Sequence, residues 1–450
     1  MSERLAELER AWLAEPEDQE RLALLLAGCR RSGRPPRPDW LEARTFPAAE
    51  LACAEPLQLR AVLPGGAIVP IPESPAGRYR IPRHRIWWIE VDPTRSLRRL
   101  VDALEGQSVP GLALQRAPAP GELAALTRLD GARRYLDLAG LPLTDALLEF
   151  VARQEALEAL NLEGAAPRPG DGSAASLRAA TGLRRLQRLN LRRVPSVSRS
   201  DVAALAALPE LYELDLAETG PAAGGLREAI ALRPDAALAR LSLLACELDF
   251  EAGLLAALAS LPGLEDLNLR QARVPGAELP TLAGAPRLRR LNLAYQTELD
   301  DAGLLALADL PALADLDLSC CDQITDGSAE VLRGWPELTR IGLLRTAVGP
   351  AWIEGLAQLP RLRALDLENV AGIDDACLQR LAGSASLEHL TLACCPDITA
   401  AGVRALLDSP SLVELDITAC PELPRSLRDE LRERRPDLRL RGPGRNQRDA

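Results

Sequence analysis

The chain reads as an α/β solenoid: a curved horseshoe with parallel strands on its concave side, helices on its convex side and a small helical segment in front. Three observations predict it. A six-residue pattern, L-x-x-L-x-L, returns at nearly constant spacing along most of the 450 residues. Between the copies run stretches such as DDAGLLALADL and EAGLLAALASL, whose apolar residues fall at helical spacing. Apolar residues make up 47% of the chain but aromatic ones only 3%. That balance suits a core one side-chain layer thick, built from Leu, Ala, Ile and Val with little demand for rings.

The strand comes first in each copy. LEALNL from Leu157, LQRLNL from Leu186, LYELDL from Leu211 and LARLSL from Leu238 are followed by LEDLNL from Leu264, LRRLNL from Leu288 and LADLDL from Leu313. LTRIGL from Leu338, LRALDL from Leu362, LEHLTL from Leu387 and LVELDI from Leu412 complete the clear set. Successive starts lie 24–29 residues apart. Weaker copies at IWWIEV from Ile86, VPGLAL from Val109 and RRYLDL from Arg133 extend the register, and Leu438 with Leu440 form a last inward pair. The array therefore spans about 86–441, about 14 repeats. Alternating inward leucines mark short strands of period two, and stacked copies make a parallel sheet.

The helix follows. Thr325, Asp374 and Thr399 stand where a side-chain oxygen can cap the first helical amides. A proline sits two residues before the strand leucine in seven copies, from Pro209 to Pro410, where it ends the helix and favours an extended chain. Position nine of the repeat is Cys246, Cys321, Cys395 and Cys420, with Thr346 in another copy. Copies such as DLSCCDQITDGSAEVLRGWPEL and TLACCPDITAAGVRALLDSPSL resemble the cysteine-containing subclass of leucine-rich repeats, best known from F-box proteins that select ubiquitin-ligase substrates. The resemblance covers about three-quarters of the chain and implies a repeat solenoid that binds other macromolecules.

Outside the array, residues 1–33 read as a helical hairpin turning at Glu15–Asp18. The stretch LERAWLAEPEDQERLALLLAGCRRSGR resembles a short helical domain that precedes leucine-rich repeats in some bacteria, and ERLALLLAGCRR is loosely similar to an F-box. Residues 34–85 are expected to be a Pro/Arg-rich linker running into a cap for the first repeat. EGAAPRPGDGSAAS, after Leu162, reads as an inserted loop, and 442–450 as a disordered tail.

Composition removes several chemistries. Every one of the 53 basic residues is Arg, so a Walker A loop and Schiff-base catalysis are excluded. Absence of Lys beside abundant Ala also suggests a bacterial origin. The net charge of −11 argues against nucleic acid. No secretory signal or membrane span is visible, and nine Cys are then expected as reduced thiols in a cytoplasmic protein. His84 and His389 lie far apart in the chain. The pairs Cys320–Cys321 and Cys394–Cys395 begin three repeats apart, roughly 15 Å at the strand spacing, too far to share a metal. Paired carboxylates such as Asp315 and Asp317 belong to a periodic Asp/Asn column. The expectation is a non-enzyme without cofactor or metal.

What remains is the outward strand face. Trp88, Tyr135, Arg188, Tyr212, Arg240, Asp266, Arg290, Asp315, Arg340 and His389 are the candidate binding residues, because aromatic and Arg side chains anchor interfaces. Interleaved charges suit another protein better than a uniform polyanion or a membrane. The expectation is an interaction scaffold that holds a partner protein on its concave face. The alternative is an adaptor or host-directed effector whose N-terminal helices recruit ubiquitin-ligase machinery.

Overall fold

The computed structural model describes residues 2–442 apart from 16–17, 33–37, 54, 75–76, 130–132, 168–176, 247, 249–252 and 425. Most of the inserted loop and the expected tail from 443 onward fall outside the described residues. The chain forms two compact units, Met1–Leu241 with Leu261–Gly263, and Ser242–Ser260 with Leu264–Ala450.

Unit 1 opens with helices α1 (Ser2–Ala14), α2 (Gln19–Ser32) and α3 (Pro38–Ala43). Apolar residues of all three pack together: Leu5 and Trp12, Leu22, Leu25 and Leu26, and Trp40 with Leu41 are buried in one cluster. The segment expected as a linker running into irregular capping strands carries regular elements. It contains α3 and five strands: β1 (Ala49–Ala52), β2 (Gln58–Val62), β3 (Ile68–Ile71), β4 (Glu73–Ser74) and β5 (Arg78–Ile81). Strands β1, β5 and β4 form a small antiparallel sheet, while β2 pairs antiparallel with both β3 and β6 (Ile86–Val91). The edge of the first repeat strand is thereby hydrogen-bonded rather than left open.

From β6 the sheet is parallel, through β7 (Gly111–Leu114), β8 (Tyr135–Asp137), β9 (Ala159–Asn161), β10 (Arg188–Asn190) and β11 (Glu213–Asp215). β12 (Arg240–Ser242) joins β11 through the Arg240 amide, which donates to the Tyr212 carbonyl at 2.8 Å. The inward rung Leu112, Leu136, Leu160, Leu189, Leu214 and Leu241 is almost fully buried. In unit 2 the strands are β13 (Asp266–Asn268), β14 (Arg290–Asn292), β15 (Asp315–Asp317), β16 (Arg340–Gly342), β17 (Ala364–Asp366), β18 (His389–Thr391), β19 (Glu414–Asp416) and β20 (Arg439–Arg441). All pair in parallel and in register. This is the leucine-rich-repeat solenoid architecture. Shifting one strand by a single residue would turn its leucine out to water, so the leucines themselves hold the register.

The return segments are α-helical at Pro350–Gln358, Asp375–Ala382 and Ala400–Ala405, but 3₁₀ at Gly276–Gly284 and Asp326–Gly334. Pro280 lies inside the first of these and removes an amide donor there. The expected caps are in place: Thr325, Asp374 and Thr399 accept from the amides of Gly327, Cys377 and Ala401. Neighbouring repeats are also latched. Asp301 accepts from the amide and hydroxyl of Thr325, and Asp375 does the same for Thr399.

Position eight carries a left-handed turn. Gly140 and Gly164 fill it first, but Arg193, Glu218, Ala245, Gln271, Tyr295, Cys320, Arg345, Asn369, Cys394 and Ala419 hold it at φ of 51–62°. The following position holds the cysteines. Cys321, Cys395 and Cys420 donate their thiols to the carbonyls of Leu293, Leu367 and Leu392, at 3.2, 3.2 and 3.0 Å. Burial pushes the Cys321 and Cys395 thiols up to about 12. Thr346 bonds instead within its own repeat, to Leu343.

The rings depart from expectation. All six Trp are buried, as are Tyr79 and Tyr212. Trp335 and Trp352 sit in the repeat core, each with its indole N–H donating to a backbone carbonyl, of Leu307 and Thr325. Where a ring replaces leucine in the layer, its polar atom still needs a partner, and a backbone carbonyl of the preceding repeat supplies it.

Candidate functional site

The ten candidate side chains divide between the units, and the division matters. In unit 2, Asp266, Arg290, Asp315 and Arg340 stand on consecutive strands at one register level, followed by Ala364, His389 and Glu414. The strands present this rung on the face turned away from the leucines. Arg290 pairs with Asp266 at 2.7 Å, and His389 Nδ1 lies 3.5 Å from Glu414.

A second outward rung runs beside it: Asn268, Asn292, Asp317, Gly342, Asp366, Thr391, Asp416 and Arg441. In Asp317, Asp366 and Asp416 one carboxylate oxygen accepts from the amide two residues on. This explains the periodic column as turn chemistry, yet the same side chains line a groove with the first rung. The groove holds about 780 Å³. Burial raises the carboxyls of Asp315 and Asp366 above the usual range, opposed at Asp315 by Arg340 and Arg290, and at Asp366 by the Glu368 amide.

Sequence reading passed over two contributors, Gly342 and Ala364. Both line the groove between charged neighbours. A Cβ at Gly342 would lie 2.9 Å from an Asp317 carboxylate oxygen, so the absent side chain makes room in the row. The signal was available: small residues at outward positions flanked by long ones.

In unit 1 the candidates are partly covered, which corrects the expectation for two of them. Trp88 is buried with Ile86 and Ala113, with Val62 of β2 and Tyr135 packed against them. Tyr135 is half-buried and donates its hydroxyl to Asp137 at 3.2 Å. Arg188 stands on the outward rung beside Glu213. Tyr212 is buried in the cluster formed by α1–α3, and burial pushes its phenol up to about 12. Arg240 is ion-paired with Glu42, just before the end of α3, at 2.6 Å.

Two further contacts tie the same helical segment to the edge where the unit 1 strands begin. Arg44 pairs with Glu158, and the Arg134 guanidinium lies over the Phe46 ring, 3.7 Å from its centre. Burial pulls Arg134 down to about 10, partly offset by Glu158. Phe46 in turn stacks on buried His84, whose pKa burial lowers. Tyr212 and Trp88 are therefore core residues.

Among the described residues no cluster of three or more His, Cys, Asp or Glu is arranged to hold a metal ion, and no helix is long and apolar enough to cross a membrane.

Residues 383–407 match the Leucine Rich repeat family. No curated protein matches the chain. Among solved structures, a chain in the Rad7 and Elc1 complex of yeast is similar, with a TM-score of 0.50 and 17% identity over 71% of this chain and 83% of that one. The internalin inlF from Listeria monocytogenes has a TM-score of 0.49 and 18% identity, over 72% of this chain and 85% of that one. The TLR13–ssRNA13 complex has a TM-score of 0.49 and 19% identity over 71% of this chain, which spans 44% of the TLR13 chain. At these identities the likeness concerns the fold alone.

Proposed function

We propose that the chain is a non-catalytic scaffold that binds a partner protein on the outward strand face of unit 2, in the cytoplasm of a bacterium. One observation carries this reading: Asp266, Arg290, Asp315 and Arg340 alternate in sign on adjacent, in-register strands beside a groove of about 780 Å³. Alternating charge at strand spacing selects a partner by pattern and register, whereas a single-sign surface would attract any counter-charged polymer. The interaction residues in this reading are Asp266, Arg290, Asp315, Arg340 and His389, joined by Asp317 and Asp366. Tyr135 and Arg188 belong to unit 1 and lie outside this groove.

Affinity capture with the full chain as bait, from the cells that produce it, tests the reading. A bait carrying Asp315→Arg and Arg340→Glu is expected to lose the captured protein by about tenfold or more. A bait carrying Glu354→Arg, on the exposed helix side, should retain it. Equal capture by the groove variant and the unaltered chain would remove the site from unit 2.

A further inference from the structure

The edge of unit 1 where the strands begin is covered by the chain itself, and the composition of that cover is informative. Among the described residues, the buried cluster built by α1–α3 draws one member from the repeats, Tyr212. Every other member comes from the helical segment. Its further ties to the repeats are charged, Glu42 to Arg240, Arg44 to Glu158, and Arg134 over Phe46, while Phe46 also stacks on His84 and exchanges backbone hydrogen bonds with it ahead of the first repeat. Contacts between repeats differ in their base, a continuous ladder of buried leucines and backbone hydrogen bonds to which ion pairs and latches are added.

One buried aromatic anchor ringed by ion pairs and an arginine–ring contact is how separable proteins meet. Inter-domain surfaces within one chain have the same make-up, and motion between their parts is the default. The segment also has a core of its own, so the one buried apolar contact it gives up on leaving the edge is with Tyr212, beside the charged ties. Closure also has an unfavourable part, since Arg134 gives up water that returns when the edge opens.

We propose that this edge of unit 1 is a second protein-binding surface, that the N-terminal helical segment occupies it as a built-in ligand, and that a partner displaces it with the same chemistry. That chemistry is written in Trp40, Glu42 and Arg44: an aromatic ring on a helical turn, a carboxylate two residues on for Arg240, and an arginine two further for Glu158. The partner is a helical protein segment of this pattern. The surface is distinct from the groove of unit 2.

Two measurements on the full chain test it. In hydrogen–deuterium exchange, amides of α2 are expected to exchange about tenfold or more faster than those of the repeat helix Arg199–Ala206. Arg240→Glu should speed α2 further, and adding Glu42→Arg should restore it. The helix Asp375–Ala382 in unit 2 reports folding in the same experiment. The second measurement uses a fluorescent peptide of residues 2–46. The full chain carrying Glu42→Arg should bind it about tenfold or more tightly than the unaltered chain, and Tyr212→Ala in that background should abolish binding. If α2 is as protected as Arg199–Ala206 and indifferent to Arg240→Glu, the cover is a fixed part of the fold. Equal peptide binding by the two chains would likewise overturn the proposal.

Discussion

Trp88 and Tyr135 lie two strands apart, on β6 and β8, yet their ring centres are 4.9 Å from each other. They meet because Gly111, on the strand between them, has no side chain: a Cβ there would sit 2.6 Å from the Trp88 Cβ and 2.7 Å from the Trp87 carbonyl. Gly111→Ala is therefore expected to destabilise unit 1 by about 1–3 kcal/mol, the usual cost of overpacking. Near-ultraviolet circular dichroism should lose part of its tryptophan signal before the far-ultraviolet spectrum changes. An unaltered spectrum and melting temperature would show that the strands can spread.

The thiol ladder predicts a sharp division in reactivity. Cys394 is exposed, whereas Cys321 and Cys395 are buried, hydrogen-bonded and pushed up to about 12. At pH 8 a thiol reagent should label Cys394 in the native protein and reach Cys321 and Cys395 only on unfolding, because the thiolate is the reactive form. Mass spectrometry of labelled peptides reads this directly. Cys395→Ala should cost about 1–3 kcal/mol, since it leaves the Leu367 carbonyl unpaired.

The groove carboxyls predict a pH dependence of known sign. Asp315 and Asp366 have folded-state pKa values raised by burial, so the folded chain holds their protons more tightly than the unfolded chain does. Their effect is absent well below the ordinary carboxyl range and becomes a growing penalty as pH rises through the raised values. Asp315→Asn and Asp366→Asn should each stabilise unit 2 near pH 7, by less than about 1 kcal/mol because the groove is solvated. That gain should vanish near pH 3. Denaturation midpoints at the two pH values check it, and a gain that persisted at pH 3 would point to packing instead.

Latches between repeats predict a different loss. Asp375 accepts from the Thr399 amide at 2.7 Å and from its hydroxyl at 2.6 Å. Asp375→Ala should cost about 1–2 kcal/mol, comparable to losing a helix cap, and should raise amide exchange in the helix Ala400–Ala405. Thr399→Ala is expected to cost at least as much, since it removes both the cap on the Ala401 amide and the hydroxyl held by Asp375, even though the amide of residue 399 would still reach Asp375.

Repeat length, strand register, caps and the unit 2 rungs were all legible in the sequence, because each recurs at a fixed offset from a leucine that has to be buried. The cover over unit 1 was not. Arg44 and Glu158 lie 114 residues apart, and such pairings leave no periodic trace. Tyr212 looked like an exposed anchor because position two of the motif is outside the leucine core, and nothing local announces that α1–α3 return to it. Trp335 and Trp352 had no place in a core read as Leu, Ala, Ile and Val, yet a thin layer accepts a ring wherever a repeat backbone offers a carbonyl to its indole.

The turn at position eight has a consequence for how the array comes apart. In the repeat of β15, the amides of Leu318 and Cys320 reach forward to Gly342 and Leu344, while the Asp315 amide reaches back to Arg289. Each copy is thus stitched to a neighbour on either side through different ends of its strand. A single repeat has no complete set of partners within itself, so melting one copy strands donors or acceptors in two others. Loss of order should accordingly spread in blocks of several repeats.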